Sequence, residues 1–381
     1  MDKIRLGIVG MGVQGSLYGS ILAGLSLPHF GALPQPKDCV LTAVSSRSPE
    51  TAQKARAMGV KWFSDWKEMI DSGLCDGVIV TVPHYLHHQV AVYALERKVA
   101  VLCEKPAGVR ASDVQKMLDV QKNTPLAMIF NQRTNPLFCK LKEIVHSGQL
   151  GQLRRSNWII NSWWRPDSYY TSNPWRGTWS GEGGGVLVNQ LPHQLDLWLE
   201  LAGMPEEVFC LARNGAWRNI DVENDVTITA KYPNGATGAL ISCTHDPLGT
   251  DRLELDFDQG KIVVDNSQNA TIYRFKQGEN VWNETVSHVQ MAMMSRSPET
   301  MYDLETFTAE QPFGQAYVEI FENFASHLLR GTPLIAEGQD GLRQVVLTNA
   351  IQLSAWTNTP IRLPCNPEIY NQYLQNHIDN E

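Results

Sequence analysis

The chain reads as an α/β protein of two domains, the first built on a parallel sheet and the second on a large, mostly antiparallel open sheet. Three observations carry this. Short apolar runs alternate with helix-period segments through the first third, and strand-like stretches follow one another after about residue 150. A length of 381 residues also exceeds what a single core of ordinary size serves.

In chain order, residues 4–9, 40–45, 77–82, 100–103 and 127–130 read as buried strands, with helices expected at 13–25, 49–58, 87–96 and 112–122. Such alternation gives parallel strands joined by right-handed crossovers. The second pattern comprises strands at 153–162, 207–213, 225–232, 236–244, 251–256, 261–264 and 270–275. Pro233-Asn234-Gly235 and Asp258-Gln259-Gly260 supply hairpin turns between them. One helix, at about 185–202, interrupts the strands, and two more, at about 313–330 and 339–357, close the pattern. Two segments lack a period: 26–38, where Pro28, Pro34 and Pro36 lengthen the first helix-to-strand connection, and the polar, Met-rich 281–311, expected as loop or short helices.

The composition, 43% apolar and 19% charged, is that of an ordinary globular protein. A net charge of −8 argues against general affinity for nucleic acid or an anionic membrane, both of which need a basic surface. Met1-Asp2-Lys3 leads directly into the first strand and leaves no room for a signal peptide. Seven scattered cysteines, none in a C-x-x-C pair, read as reduced thiols. The expectation is a soluble cytoplasmic protein.

Gly10-Met11-Gly12-Val13-Gln14-Gly15 lies between the first strand and the first helix. The first glycine permits a tight turn, the second lets backbone amides approach a pyrophosphate, and the third allows close helix–strand packing. This marks 1–133 as a Rossmann NAD(P)-binding domain. The acid that would bond the ribose hydroxyls about 20 residues later is missing; Ser46 and Arg47 end the second strand instead. With no carboxylate to repel a 2′-phosphate and a guanidinium in reach, NADP is favoured over NAD. Thr81, Pro83, His84 and His87 follow the next strand, at the edge where doubly wound sheets bind ligands. His84, His87 and His88 have no acid or cysteine nearby to complete a metal site, so no metal is expected.

Glu104-Lys105 follows a buried strand, so the Lys105 ammonium can reach the cleft, with Glu104 holding it in place. Gly183-Gly184-Gly185 leads to Asn189, His193 and Asp196, which share one face if the helix is continuous; Pro192 kinks or starts that helix. His193 is the natural proton acceptor. The aromatic stretch from Trp163 to Trp175 offers faces for a sugar ring, with Tyr169 and Arg176 the first choices for the cleft.

Together these motifs resemble the Gfo/Idh/MocA oxidoreductase family, named after glucose–fructose oxidoreductase and inositol dehydrogenase. The resemblance runs from the glycine turn through Thr81–His87, Glu104-Lys105-Pro106, Asn131-Gln132-Arg133, Gly148–Gly151 and Gly183–Asp196 to the closing helix. It implies a substrate-binding and oligomerisation domain over 134–364, a tail over 365–381, and Lys105 with His193 as the catalytic pair. Dehydrogenase members commonly place Asp where Asn189 stands; Asn cannot take a proton, so Asn189 would orient a hydroxyl. Cofactor contacts are expected from Gly10, Gly12, Val13, Gln14, Ser46, Arg47, Thr81, Pro83, His84, His87, Glu104 and Lys105. Substrate contacts would come from Lys105, Arg133, Tyr169, Arg176, Asn189, Gln190 and His193. The expected activity is hydride transfer between a nicotinamide and a sugar, glycoside or polyol carbon, in a homodimer or homotetramer. An NAD-dependent glycosidase working by transient oxidation and elimination, and a non-catalytic nucleotide-sensing regulator, are the alternatives.

Overall fold

The computed structural model describes residues 3–26 and 33–381; residues 27–32 of the proline-bearing segment, Pro28 among them, lie outside the described residues. The first six strands are β1 (Ile4–Val9), β2 (Cys39–Ser45), β3 (Lys61–Phe63), β4 (Gly77–Val80), β5 (Ala100–Cys103) and β6 (Leu126–Met128). All pair in parallel, in the order β3-β2-β1-β4-β5-β6. Their crossovers are α1 (Val13–Leu22), α2 (Glu50–Ala57), α3 (Trp66–Asp71), α4 (His87–Glu96) and α5 (Ala111–Gln121). Covered on both faces, β1, β4 and β5 are apolar almost throughout, which is why they stood out in the sequence. The short β3 and α3 did not. Three residues of strand show no period, and α3 is only six residues long, capped by Asp65, whose side chain accepts from Lys67 N at 2.8 Å.

The chain then forms α6 (Pro136–His146), β7 (Leu153–Ile160), α7 (Asp167–Thr171), α8 (Pro192–Ala202), β8 (Glu207–Asn214), β9 (Glu223–Lys231), β10 (Thr237–Cys243), β11 (Asp251–Phe257), β12 (Gly260–Asp265) and β13 (Asn269–Phe275). It ends with α9 (Glu279–Thr285), α10 (His288–Arg296), β14 (Tyr302–Thr308), α11 (Gln315–Arg330), α12 (Gly338–Thr357), β15 (Ile361–Arg362) and α13 (Pro367–Asp379). The second sheet runs β14-β13-β12-β11-β7-β10-β9-β8-β15, antiparallel except where β7 meets β10.

Three expectations change here. The segment 281–311 contains two short helices and also β14, a fully paired edge strand whose alternation of half-buried and exposed residues hid it. The tail 365–381 is mostly helix, with Tyr370 and Leu374 buried against α12 and its neighbours. The helix expected from 185 begins at Pro192, whose ring suits the first helical turn and which has no N–H to leave unpaired. Residues 185–191 form turns instead, so Asn189 does not share a helical face with His193 and Asp196.

Helices α6, α8 and α12 cover one face of the second sheet around a core that includes Trp158 and Trp198. The Trp198 indole is satisfied inside that core by Ser156 Oγ at 3.0 Å. Helix α11 returns to the first layer, where Val318, Phe321 and Phe324 pack with Leu6 and Ile8. Helix α12 belongs to both layers. At its start, a Cβ on Gly338 would lie 2.6 Å from Leu126 Cδ2, and one on Gly341 would lie 2.8 Å from Ala107 Cβ. Further along, Leu347, Ala350 and Ile351 enter the second core.

Arg133 departs from its expected place in the substrate cleft. It is bidentate to Asp196, Nε and Nη2 each at 2.7 Å, while Nη1 reaches Asp340 at 3.1 Å and the Ile335 carbonyl at 3.1 Å. Glu200 lies 3.3 Å away, and its carboxylate also binds Lys142. The arginine is 7% exposed and Asp196 2%. Burial works against the guanidinium charge, but the bonds and field of Asp196, with Asp340 and Glu200, outweigh it and raise its pKa. Its donors are therefore spent on tying the end of the first domain to α8 and α12. Arg133→Met would strand buried carboxylates and cost about 3–5 kcal/mol. Denaturant unfolding should show that loss, and unchanged stability with a selective rise in substrate KM would restore the cleft assignment.

Candidate active site

The glycine turn has the shape a pyrophosphate needs. Gly10 sits at φ +98°, and a Cβ there would lie 2.8 Å from the Thr81 carbonyl oxygen. A side chain at this position costs about 1–2 kcal/mol in backbone strain before the clash is counted. At Gly15 an added Cβ would meet the Gly10 carbonyl at 2.0 Å, whereas at Gly12 it would meet nothing within 4 Å. The two outer glycines thus serve close packing, and the middle one faces open space. No side chain caps the first turn of α1, and Val13, the first helical residue, is 82% exposed. Uncapped amides at a helix N-terminus beside open space and a bare apolar side chain fit a dinucleotide. Thr81 Oγ1 donates to Gly10 O at 2.6 Å and fixes the turn to the end of β4.

The other expected cofactor residues take two kinds of position. Ser46 continues from β2, its N–H donating to Phe63 O at 3.1 Å, and Arg47 beside it is exposed with no ion pair among the described residues. Pro83 is exposed at the mouth of the β4 loop. Gln14 spends its amide on Tyr18 Oη at 3.1 Å and Tyr317 Oη at 3.2 Å. His84 and His87 are buried rather than open to a ligand. His87 lies between the Pro106 and Val82 carbonyls, each 2.8 Å from a ring nitrogen, and burial lowers its pKa to about 4. His84 Nδ1 faces the Glu182 carbonyl at 3.0 Å, and burial lowers its pKa to about 3. Both rings brace the loop, and a neutral His87 ring donates to only one of its two flanking carbonyls. With Tyr85, which donates to Trp179 O at 2.7 Å, His84 binds this loop to the segment before the glycine run.

Lys105, just after β5, and His193, on α8, lie close enough for the lysine charge to act on the imidazole. Lys105 Nζ donates to the backbone carbonyl of Asn189 at 2.6 Å. Burial lowers the lysine's pKa; the carboxylates of Glu104 and Glu182 oppose that, and Arg165 and Arg176 add to it. Glu104 is buried on the first-domain side, where it accepts from Lys105 N at 2.8 Å and from the Tyr18 hydroxyl. Burial holds its carboxyl above the usual range. His193 leans edge-on to Phe130, the ring centres 6.2 Å apart, and its buried Nδ1 has no hydrogen-bond partner among the described residues. Burial and the Lys105 charge hold the imidazole far below its ordinary pKa, so it is neutral, with its affinity for a proton weakened.

Several of the expected substrate residues gather around Tyr169. Its hydroxyl oxygen accepts from Arg176 Nη1, from Asn189 Nδ2 at 3.3 Å and from Gln190 Nε2 at 3.4 Å. Arg176 lies over the Tyr169 ring at 4.2 Å and the Trp175 ring at 4.6 Å. The sequence reading missed two participants. Glu182, 2% exposed, accepts from Asn189 Nδ2 and from Gly177 N at 2.8 Å. Its signal was available, as a lone acid abutting three glycines. Tyr317 arrives on α11, some 300 residues from Gln14, with nothing local to announce it. Among the described residues no group of three or more His, Cys, Asp or Glu could hold a metal ion, and no helix is long and apolar enough to cross a membrane.

Comparison with known proteins identifies the fold and the family. Myo-inositol 2-dehydrogenase of Thermotoga maritima is 24% identical over 371 residues, covering 94% of this chain and 98% of that protein. Levoglucosan dehydrogenase of Pseudarthrobacter phenanthrenivorans is 25% identical over 292 residues, 69% of this chain and 74% of its own. A solved levoglucosan dehydrogenase in complex with NADH and L-sorbose shares the fold at a TM-score of 0.78 and 20% identity, covering 96% of this chain and 100% of that one. Residues 4–131 match an oxidoreductase family with an NAD-binding Rossmann fold, and residues 138–263 match the GFO/IDH/MocA C-terminal domain. The chain belongs to the Gfo/Idh/MocA family of oxidoreductases.

Proposed function

We propose that the protein is a sugar, glycoside or polyol dehydrogenase, or the corresponding ketose or aldose reductase, with NADP preferred over NAD. The observation that carries this is the placing of the His193 imidazole, on α8, within the field of the buried Lys105 ammonium, whose Nζ donates to the Asn189 carbonyl across the domains. The names of the relatives, inositol and levoglucosan dehydrogenases, support a polyhydroxylated substrate. The aromatic and amide-lined flank formed by Tyr169, Trp175, Asn189 and Gln190 supports the same class.

The bound nicotinamide supplies the acceptor or donor of hydride. For the chain's own groups, His193 takes the proton of the reacting hydroxyl, and Lys105 keeps its charge beside the oxygen that becomes negative. Asn189 and Gln190 orient neighbouring hydroxyls, and Arg176 holds Tyr169 in place. Preference for NADP rests on Ser46 standing where a carboxylate would repel a 2′-phosphate, with an unpaired Arg47 next to it. Exposed Ile159, Leu211 and Leu304 on strands of the second sheet support self-association as a homodimer or homotetramer.

A panel of sugars, polyols and glycosides, read by nicotinamide absorbance, should give steady cofactor turnover with at least one of them. Glycoside cleavage with a flat trace would instead establish transient oxidation and elimination. Lys105→Met should lower kcat by about 1,000-fold with cofactor binding retained; retention of most of the rate would remove Lys105 from the mechanism. Arg47→Ala should weaken NADP binding about tenfold, or about 1.4 kcal/mol, and leave NAD unchanged; equal effects on both would dissolve the NADP preference. Because the Lys105 pKa is lowered, its charge is lost as pH rises before the ordinary lysine value of about 10.4 is reached. The alkaline limb of kcat/KM should therefore fall below that value, and a rate still level there would contradict a buried ammonium.

A further inference from the structure

Asn189 poses a question of orientation. A carboxamide can present either a donor or an acceptor to substrate, and its two ends are alike in shape. Both protons on Asn189 Nδ2 are already directed within the protein, one to Glu182 Oε1 and one to Tyr169 Oη. No described residue donates to Asn189 Oδ1, and Asn189 is only half-buried. Glu182 is not free to move. Its N–H donates to Thr178 O at 3.0 Å, its carbonyl faces His84 Nδ1 at 3.0 Å, and its second carboxylate oxygen takes the Gly177 N–H at 2.8 Å.

Accepting the reading of Lys105 and His193 given above, we infer that Glu182 is a positioning residue. Its carboxylate holds the Asn189 amide group inward, so that Asn189 Oδ1 faces the cleft as a fixed acceptor for a substrate hydroxyl. With Gly177 N–H on one oxygen and the Asn189 amide on the other, the Glu182 carboxylate accepts on both sides and faces the Nδ2 end, so Glu182 selects the rotamer. The same carboxylate lies in the field of Lys105 and supports its charge. Asn189 thereby presents an oxygen to the substrate, as an aspartate would, without a second negative charge beside Glu182. The substrate class this favours carries a hydroxyl donor next to the reacting carbinol, as a vicinal diol does.

The test is a reciprocal exchange. In Glu182→Gln the amide oxygen is claimed by Gly177 N–H, and the new NH2 faces Asn189; Asn189 must turn over and offer a donor to the cleft. In Asn189→Asp two carboxylates face one another. In the double variant, the amide introduced at position 182 donates to the carboxylate introduced at position 189, whose other oxygen again faces the cleft. Each single variant should lose about 100-fold in kcat with nicotinamide affinity unchanged, and the double should recover to within about tenfold of the parent. A double variant no faster than Glu182→Gln alone, or a Glu182→Gln variant at the parental rate, would overturn the inference.

A second readout does not depend on turnover. With isotope-labelled asparagine, the Asn189 side-chain amide is identified by its absence in Asn189→Asp. Its protons should exchange slowly in the parent protein and fast in Glu182→Gln. Fast exchange in the parent would overturn the role of Glu182 even if sugars are oxidised. A parent that turns over none of the panel but shows the slow amide would retain Glu182's role and reject the proposed activity.

Discussion

The rest of the structure depends on the bond from the Lys105 ammonium to the carbonyl of Asn189, 2.6 Å long, which joins the two domains. An isolated ammonium cannot remain charged in such a place, because burial favours the neutral amine. The protein answers with two carboxylates from opposite sides, Glu104 beside the lysine in sequence and Glu182 from the segment before the glycine run. Each is itself buried and held above the ordinary carboxylate range. Tyr18 donates to Glu104, and Asn189 and Gly177 donate to Glu182, so neither acid lacks hydrogen bonds. The Lys105 charge, to which the proposed function gives the chemistry, therefore draws its support from both domains.

That assembly has its own framework. Arg133 grips Asp196 and Asp340, joining the end of the first domain to α8 and α12, and α12 enters both cores. His84 and Tyr85 fasten the loop after β4 to the chain around Trp179 and Glu182. Through α8, the Asp196 contact also carries His193, three residues earlier on the same helix. Hydride transfer between bound groups needs their positions held to a fraction of an ångström. A junction closed by bidentate and buried contacts serves that need better than a solvated hinge.

Much of this was legible in the sequence where one local pattern meant one structure. The glycine turn, the buried apolar runs of β1, β4 and β5, and Lys105 at the end of β5 follow from short-range rules, and the structure places them accordingly. Arg133 misled because an arginine near a cleft has the same appearance whether it meets substrate or three acids, and those acids lie 63 to 207 residues away. The continuous helix through Asn189 failed because Pro192 allows two readings, a kink or a start, and tertiary contacts of the glycine run decide between them. Strand β14 and the final helix α13 are half-exposed, so their periods are weak, and Tyr317 reaches the Gln14 and Tyr18 pair only through the return of α11. Glu182 was visible as a residue type, but its importance lies entirely in what it faces.

The most direct measurement is a crystal structure of the ternary complex with NADP and an unreactive polyol. The account predicts one ligand oxygen within hydrogen-bond reach of both Lys105 Nζ and the His193 ring, with the nicotinamide stacked over the adjoining carbon and its pyrophosphate at Gly12. A dinucleotide bound with its nicotinamide away from that oxygen, or a polyol seated on only one of the two side chains, would contradict it.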